Sequence, residues 1–447
     1  MIRASGSSGG LGYRFGPILA LGTLLTAWGC VSLEPLPPLL GPADVPALRQ
    51  KVLLEPNNGR AHLELGAALM TAGRCDAAVT VVERGRILTP DDPLGPLVLG
   101  QCLEEAGSFD QALTLYADFL SRHGDVPGAA AVEGRRIMAF QAHARELARR
   151  ALREEEELAP ADSETVGVLP FLVDGDPIYQ PLSVGLAHML TTDLALLGRF
   201  PLVERVRLGA ILEELALPPE RVDPSTAVRA GRLVRASRLV LGTVSVPSER
   251  DTRLGGNVVL ESGELVEPAL TEGELRQLLE LQKEYSARVA EALGYSLSDA
   301  ERRRMDENRP ANLRALLAFS RGLMAEDMGD FAGAAVHFRE ALTADPQYGE
   351  AQQRLRGAVG ADVVSRSSPG EVTRVGAMVD QVLAPVPETS LVSSTLSGAV
   401  FDIASHQPER ALADAGSATP SGVVAPQDNR VAPSLEAILT IIITIPR

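Results

Sequence analysis

"RFPLVERVRLGAILEEL", residues Arg199–Leu215, begins as a short apolar strand and continues as a helix. Phe200, Leu202 and Val203 suit a buried strand, while Leu208, Ile211, Leu212 and Leu215 recur at helical spacings of three and four. Glu204 and Arg205 stand at the joint, an acid beside a base where α/β enzymes often keep their chemistry. Whether the pair is chemical or structural depends on what surrounds it.

On both sides of this stretch, strand and helix signals alternate. "VGVLPFLV" reads as one continuous central strand, and Leu182, Leu186, Met189, Leu190, Leu194 and Leu197 then mark one helix face ending at Gly198. Asp223 and Pro224 form an N-cap with proline at the first helical position, opening a helix through Arg235. "RLVLGTVSV" is a further strand, "NVVLESGELVE" a hairpin turning at Ser262 and Gly263, and a long helix is expected from about Glu272 to Leu293. The prediction is a small α/β domain over 161–297.

The series "VGVLPF", "VGLAHMLTTDLALLGRFPLVERVRLGAILEEL" and "DPSTAVRAGRLVRASRLVLGTV" resembles the domain shared by the CsgG-like curli-secretion lipoproteins, the flagellar FlgO family and the lipoprotein activators of penicillin-binding proteins. It is also similar to the N-terminal domain of TolB. On this resemblance Glu204, Arg205 and Gly242 are family-motif positions, and the domain is a non-enzymatic periplasmic unit serving secretion or envelope assembly. A secretion channel would need long alternating strands with an apolar outer face. "DTRLGGNVVLESGELVEPALTEG" is too charged and broken for that, so a soluble domain rather than a pore is expected.

The region over 44–160 repeats internally. Pro56, Leu65, Gly66, Gly73, Ala78 and Val82 recur 34 positions later as Pro90, Leu99, Gly100, Gly107, Ala112 and Tyr116. This period resembles the tetratricopeptide repeat. Gly66 and Gly100 would let paired helices approach, Gly73 and Gly107 open the turns, and Pro90 stop a helix. Another copy, with Gly322, Gly329, Ala334, Phe338, Ala341 and Pro346, lies within 298–357. An isolated copy cannot bury both faces, so it should pack on the α/β domain or on the first array. The fold class is therefore α/β plus all-α, helical hairpins flanking a mixed sheet.

The ends differ from this. Residues 1–29 carry Arg3 and Arg14, then the apolar run "FGPILALGTLLTAWG", and Cys30 follows. This resembles a bacterial lipoprotein signal in which Cys30 is lipidated, and Val31 after it implies the outer membrane. Residues 30–43 read as a proline-rich tether. Residues 358–447 are rich in Ser, Val, Ala, Pro and Gly and read as a low-complexity tail. It ends in "LEAILTIIITIPR", where a strand completing a sheet edge is expected.

The net charge of −16 argues against nucleic acid, whose phosphates need clustered positive charge. Lys51 and Lys283 are the only lysines among many arginines, a bias that carries no mechanism by itself. Cys75 and Cys102 could pair in an oxidising periplasm, but both fall in helical repeats, and two separate buried thiols are the simpler expectation.

A search for phosphate-binding loops, nucleophile elbows and zinc-type pairs finds none. His62, His123, His143, His188, His337 and His406 are scattered singly. The adjacent carboxylates Glu213 and Glu214, or Glu326 and Asp327, point to different helix faces and read as solvated charge, as does the Arg302 to Arg304 run inside the capped helix "SDAERRRM". No catalytic, cofactor or metal residue is expected. Expected partners are other envelope proteins through the repeat surface and outer-membrane lipid through acylated Cys30, with a homo-oligomer left open. The rival expectation is a ligand-binding or hydrolytic site at Glu204 and Arg205. The preferred role for Glu204 is to accept backbone N–H groups at the start of the following helix.

Overall fold

The computed structural model describes residues 36–158, 162–218, 222–307 and 309–384. Cys30, the leader, His406 and the β-prone C-terminal run lie outside them. In the described part, α1 (Val45–Leu54) leads into two helical hairpins, α2 (Gly59–Thr71) with α3 (Cys75–Leu88) and α4 (Leu94–Glu105) with α5 (Phe109–His123). Gly73 and Gly107 turn these hairpins at φ +67° and +72°, a left-handed conformation that glycine adopts without a Cβ penalty. A Cβ on Gly66 would overlap Val82, and one on Gly100 would overlap Tyr116, so each hairpin closes by seating a large side chain on a glycine. The 25-residue α6 (Ala129–Arg153) then connects this array to the next layer.

The α/β layer follows with β1 (Asp162–Val168), β2 (Leu172–Gly175), α7 (Leu182–Leu197), α8 (Arg205–Glu214) and α9 (Pro224–Val234). It is completed by β3 (Ala236–Ser248), β4 (Asp251–Leu260), β5 (Leu265–Val266), β6 (Thr271–Gly273) and α10 (Leu278–Ala292). The six strands form one mixed sheet, β1 and β2 parallel to β3, and β4 antiparallel to β3, β5 and β6. Alternation along β3 assigns the two faces. Val240, Val244 and Val246 join α7 and α10 in one core, while Leu239 joins α8, α9 and the end of α6 in another.

Three expected elements differ in extent. "VGVLPFLV" is two strands, because Pro170 has no N–H to continue the ladder; β1 and β2 follow one another along β3, with Val168 opposite Val240 and Leu172 opposite Thr243. "FPLVER" is a single bridge of Leu202 to Val166 rather than a full strand, held by Val166 N–H to Pro201 O and Val203 N–H to Val166 O, both 2.9 Å, before α8 begins. The helix expected from Glu272 starts at Leu278, since Thr271–Gly273 is spent pairing with β4. The hairpin turn at Ser262 and Gly263 forms as expected, with Leu260 N–H bonded to Glu264 O.

After α11 (Asp299–Glu307) comes a third hairpin, α12 (Leu313–Asp327) with α13 (Phe331–Ala344), in which a Cβ on Gly322 would overlap Phe338. The segment assigned to a low-complexity tail from residue 358 is instead helical through its described part, in α14 (Gly349–Arg366) and α15 (Val372–Leu383). Its small residues serve packing. A Cβ on Gly134 would overlap Ala361 N, and one on Gly360 would overlap Ala130 O, so α6 and α14 cross backbone to backbone. Among the described residues there are 15 α-helices, and none is long and apolar enough to cross a membrane.

Candidate functional site

Glu204 is the N-cap residue of α8, but its side chain makes no capping bond. The first turn is closed by its carbonyl, which accepts from Arg207 N–H at 3.0 Å and Leu208 N–H at 3.2 Å. Its carboxylate turns inward instead. Oε2 is buried without a hydrogen-bond partner, and Arg207 Nη1 at 3.7 Å stands beyond hydrogen-bond reach. Burial pushes the Glu204 carboxyl above its ordinary range, with Arg207 opposing the shift. Arg205 points elsewhere, into an ion pair with Asp327 of α12. The acid and base at the joint therefore serve two different contacts. Gly242, the third motif position, lies opposite Gly256, and a Cβ on it would overlap the Phe171 ring. Phe171 packs edge-on against Tyr285 of α10 with ring centroids 6.0 Å apart, so the bare glycine lets an aromatic layer settle on the strand.

Asp327 belongs to a larger cluster. Glu326, expected to be solvated, is 2% exposed. Its Oε1 accepts from Arg354 Nη1 of α14 at 2.6 Å, and its carbonyl accepts from Gln141 Nε2 of α6 at 2.8 Å. The helix ends there against α6 and α14, which encloses Glu326, while Asp327 stays about a third exposed beside Arg205. His188 of α7 meets Glu350 of α14, and burial raises that carboxyl while His188, Arg354 and Lys283 outweigh it and hold it below the glutamate range. The C-terminal hairpin and α14 thus meet α6 through Gln141, α8 through Arg205 and α7 through His188. Packing on both the α/β layer and the first array is what a lone repeat requires.

A second polar cluster lies inside the α/β layer. Asp193 of α7 is fully buried and takes Lys283 Nζ at 2.6 Å, Ser286 Oγ at 2.7 Å and Gln282 Nε2 at 2.9 Å from α10. Sequence reasoning missed it. The available signal was a carboxylate in the apolar run "HMLTTDLALL" together with one of only two lysines in the chain. Glu213 and Glu214, by contrast, are partly solvated and meet Arg145 and Arg149 of α6 at 3.8 and 2.9 Å.

The remaining histidines have local partners. His62 Nε2 lies 3.0 Å from Pro56 O, His143 stacks on Phe109, His123 packs against Phe119, and His337 pairs with Glu340. Among the described residues no group of His, Cys, Asp and Glu could hold a metal ion. The two repeat cysteines are a correction to the expectation of separate thiols. Cys75 at the start of α3 and Cys102 in α4 form a disulfide across neighbouring hairpins, Cα atoms 5.4 Å apart. The 27-residue separation places the first position of one helix against the inner face of the next. One open groove of about 350 Å³ lies where α6 crosses α8 and the end of α9, with Ala148, Ala151 and Ile211 among its apolar walls and Arg150, Arg207 and Arg235 beside them.

These features define a mixed α/β domain flanked by helical hairpins, the first two of which are joined by a disulfide. Residues 152–272, from the last turn of α6 to β6, match the family described as "Curli production assembly/transport component CsgG". No curated protein matches the chain. The match covers the sheet with α7, α8 and α9; the hairpins on either side and α10 lie beyond it.

Proposed function

We propose that the protein is an envelope lipoprotein that binds and assembles other proteins, in curli-like secretion across the outer membrane or in biogenesis of the cell envelope. The observation that carries this reading is the CsgG match over 152–272. The Cys75–Cys102 disulfide supports an oxidising, periplasm-facing location. The recurring helical hairpins, which we take as tetratricopeptide-like repeats, supply a docking surface for partner proteins. Cys30 supplies the lipid anchor, and the domain works without catalysis or cofactor. The engagement of Arg205 by Asp327 and the enclosure of Glu204 support a structural role for the motif over a ligand-binding one.

Fractionation of cells producing Cys30→Ser tests the anchor: the variant should leave the membrane pellet for the soluble periplasmic fraction. Crosslinking from the α2–α5 surface in cells tests the assembly role. Recovery of secretion or envelope-assembly proteins is expected, and a chain that crosslinks to none of them while folded and abundant would overturn it.

A further inference from the structure

α2 and α4, the first helices of the two disulfide-linked hairpins, are apolar nearly all round, with Leu65 and Leu69 of the one and Leu97 and Leu99 of the other buried. A helix of that kind needs cover on more than one side. Their hairpin partners α3 and α5 cover one side, and α15 lies across α2, α4 and α6 on another. Val372, Val375 and Val379, at positions i, i+3 and i+7, make the buried stripe of α15, while Gln381 and Val382 in its last turn are exposed. Gly376, at i+4, permits the close approach, since a Cβ on it would stand 3.1 Å from Gly128 Cα.

α15 is a weak occupant of this seat. Its four valines, Thr373 and Gly376 are poor helix formers, and twelve residues is at the limit of about 12–15 below which a helix does not stand alone in water. Its side-chain hydrogen bonds run to the chain before α1: Thr373 Oγ1 donates to Pro38 O at 2.9 Å, and Arg374 Nε donates to Pro37 O. Extended backbone at Ser367 and Ser368 separates it from α14. Leaving the seat empty would return the apolar flanks of α2 and α4 to water, so α15 departs only in exchange for another apolar helix. The stripe of α15 itself defines what the seat accepts. Building on the reading of the hairpins as a docking surface, we propose that the face formed by α2, α4 and α6 is a helix-binding groove held in cis by α15. Its partner is an amphipathic helix of another protein, with small branched apolar side chains at i, i+3 and i+7 and glycine at i+4, which enters by exchanging with α15.

The test compares the full chain carrying Cys30→Ser with the same chain also carrying Val375→Asp and Val379→Asp, which removes the stripe that seats α15. The probe is a fluorescent peptide of residues 368–384, read by anisotropy. It should bind the substituted chain at one site, at least ten-fold more tightly than the parent, whose groove is filled in cis. Peptides carrying Gly376→Leu, or Val375→Asp with Val379→Asp, should not bind. Circular dichroism confirms that each chain is folded. Hydrogen exchange on the parent needs no substitution: α15 amides should exchange at least ten-fold faster than those of α12 and α14, because α15 opens without global unfolding. A substituted chain that loses its fold leaves the decision to these exchange rates. No peptide binding to the folded variant, equal binding to both chains, tolerance of Gly376→Leu, or α15 amides protected as long as those of α12 would each overturn the exchange. Crosslinks from the α2–α5 surface to partner proteins would in that case uphold docking while placing it outside this groove.

Discussion

Arg354 of α14 and Glu326 of α12 are bonded at 2.6 Å with both side chains almost wholly enclosed. Glu350, Asp327 and Glu133 also lie within the field of Arg354 and favour its charged form, so carboxylates of three helices converge on the one guanidinium. Truncating one member of a buried pair leaves an uncompensated charge and costs roughly 3–5 kcal/mol. Arg354→Met should therefore destabilise more than Glu326→Leu, and the double substitution should cost less than the sum of the two. Urea unfolding of the three variants measures this; additive losses would show that the two side chains are not coupled.

Acid should loosen the same clasp. Glu350 and Glu133 are held below the usual range, in each case against an upward push from burial, by His188 and Arg354 for the first and by Arg136, Arg354 and Arg356 for the second. A depressed folded pKa contributes stability above the unfolded value, about 4.3, which disappears as pH falls through the folded one. Unfolding midpoints should be flat near neutrality and fall steeply below about pH 4. Glu350→Gln should flatten that acid limb while lowering stability at pH 7, and an acid limb unchanged by it would remove Glu350 from the explanation.

The α6–α14 crossing depends on two absent side chains, Gly134 and Gly360. Gly360→Leu must force the helices apart, and overpacking of this kind costs about 1–3 kcal/mol. Gly209 is the contrast, an exposed glycine of α8 with nothing within 4 Å of a Cβ. Gly209→Ala should stabilise by about 0.5–1 kcal/mol, because the helix gains propensity without a clash. Thermal melts of the two variants should move in opposite directions; a stabilised Gly360→Leu would mean the helices do not meet as described.

The disulfide joins α3 to α4 and closes a 27-residue separation. Constraint of the unfolded chain over such a loop contributes about 3–4 kcal/mol. Reduction, or Cys75→Ser with Cys102→Ser, should lower the midpoint of the oxidised protein by a comparable amount. Thiol-reactive probes applied to air-purified protein give the direct check, and free thiols at both positions would exclude the bond.

Periodic signals were the legible part of this fold. The 34-residue offset located the Gly66 and Gly100 contacts, the spacing within one repeat located Gly322, and the apolar stripes of α7 and α8 with the Asp223–Pro224 cap of α9 located the middle layer. What escaped the sequence was set by partners distant along the chain. Glu326 looks solvated on its own helix and is buried only because α6 and α14 converge on it. The glycines and alanines of α14 resemble a loose tail until α6 supplies the backbone they pack against. The Cys75–Cys102 pairing likewise depends on how two hairpins stack, which spacing alone leaves undetermined. Of the three motif positions, Gly242 is explained by Phe171, whereas Glu204 keeps an unsatisfied buried oxygen.

That oxygen makes Glu204 the position where stability and sequence motif conflict. Its folded pKa is raised by burial, so its contribution is favourable below the ordinary glutamate range and is lost as pH rises through the folded value. Once ionised, the carboxylate is a burden on the fold, relieved only in part by Arg207 at 3.7 Å. Glu204→Gln removes the charge while keeping the shape, and should stabilise the protein at pH 8 by about 1 kcal/mol, within the range for an unsatisfied buried polar group. The advantage should shrink toward pH 4, where the wild-type carboxyl is protonated. Chemical unfolding of both proteins across that pH interval gives the answer. If Glu204→Gln is instead the less stable protein at pH 8, the carboxylate's charge is being used at the start of α8, and the burial argument for this residue fails.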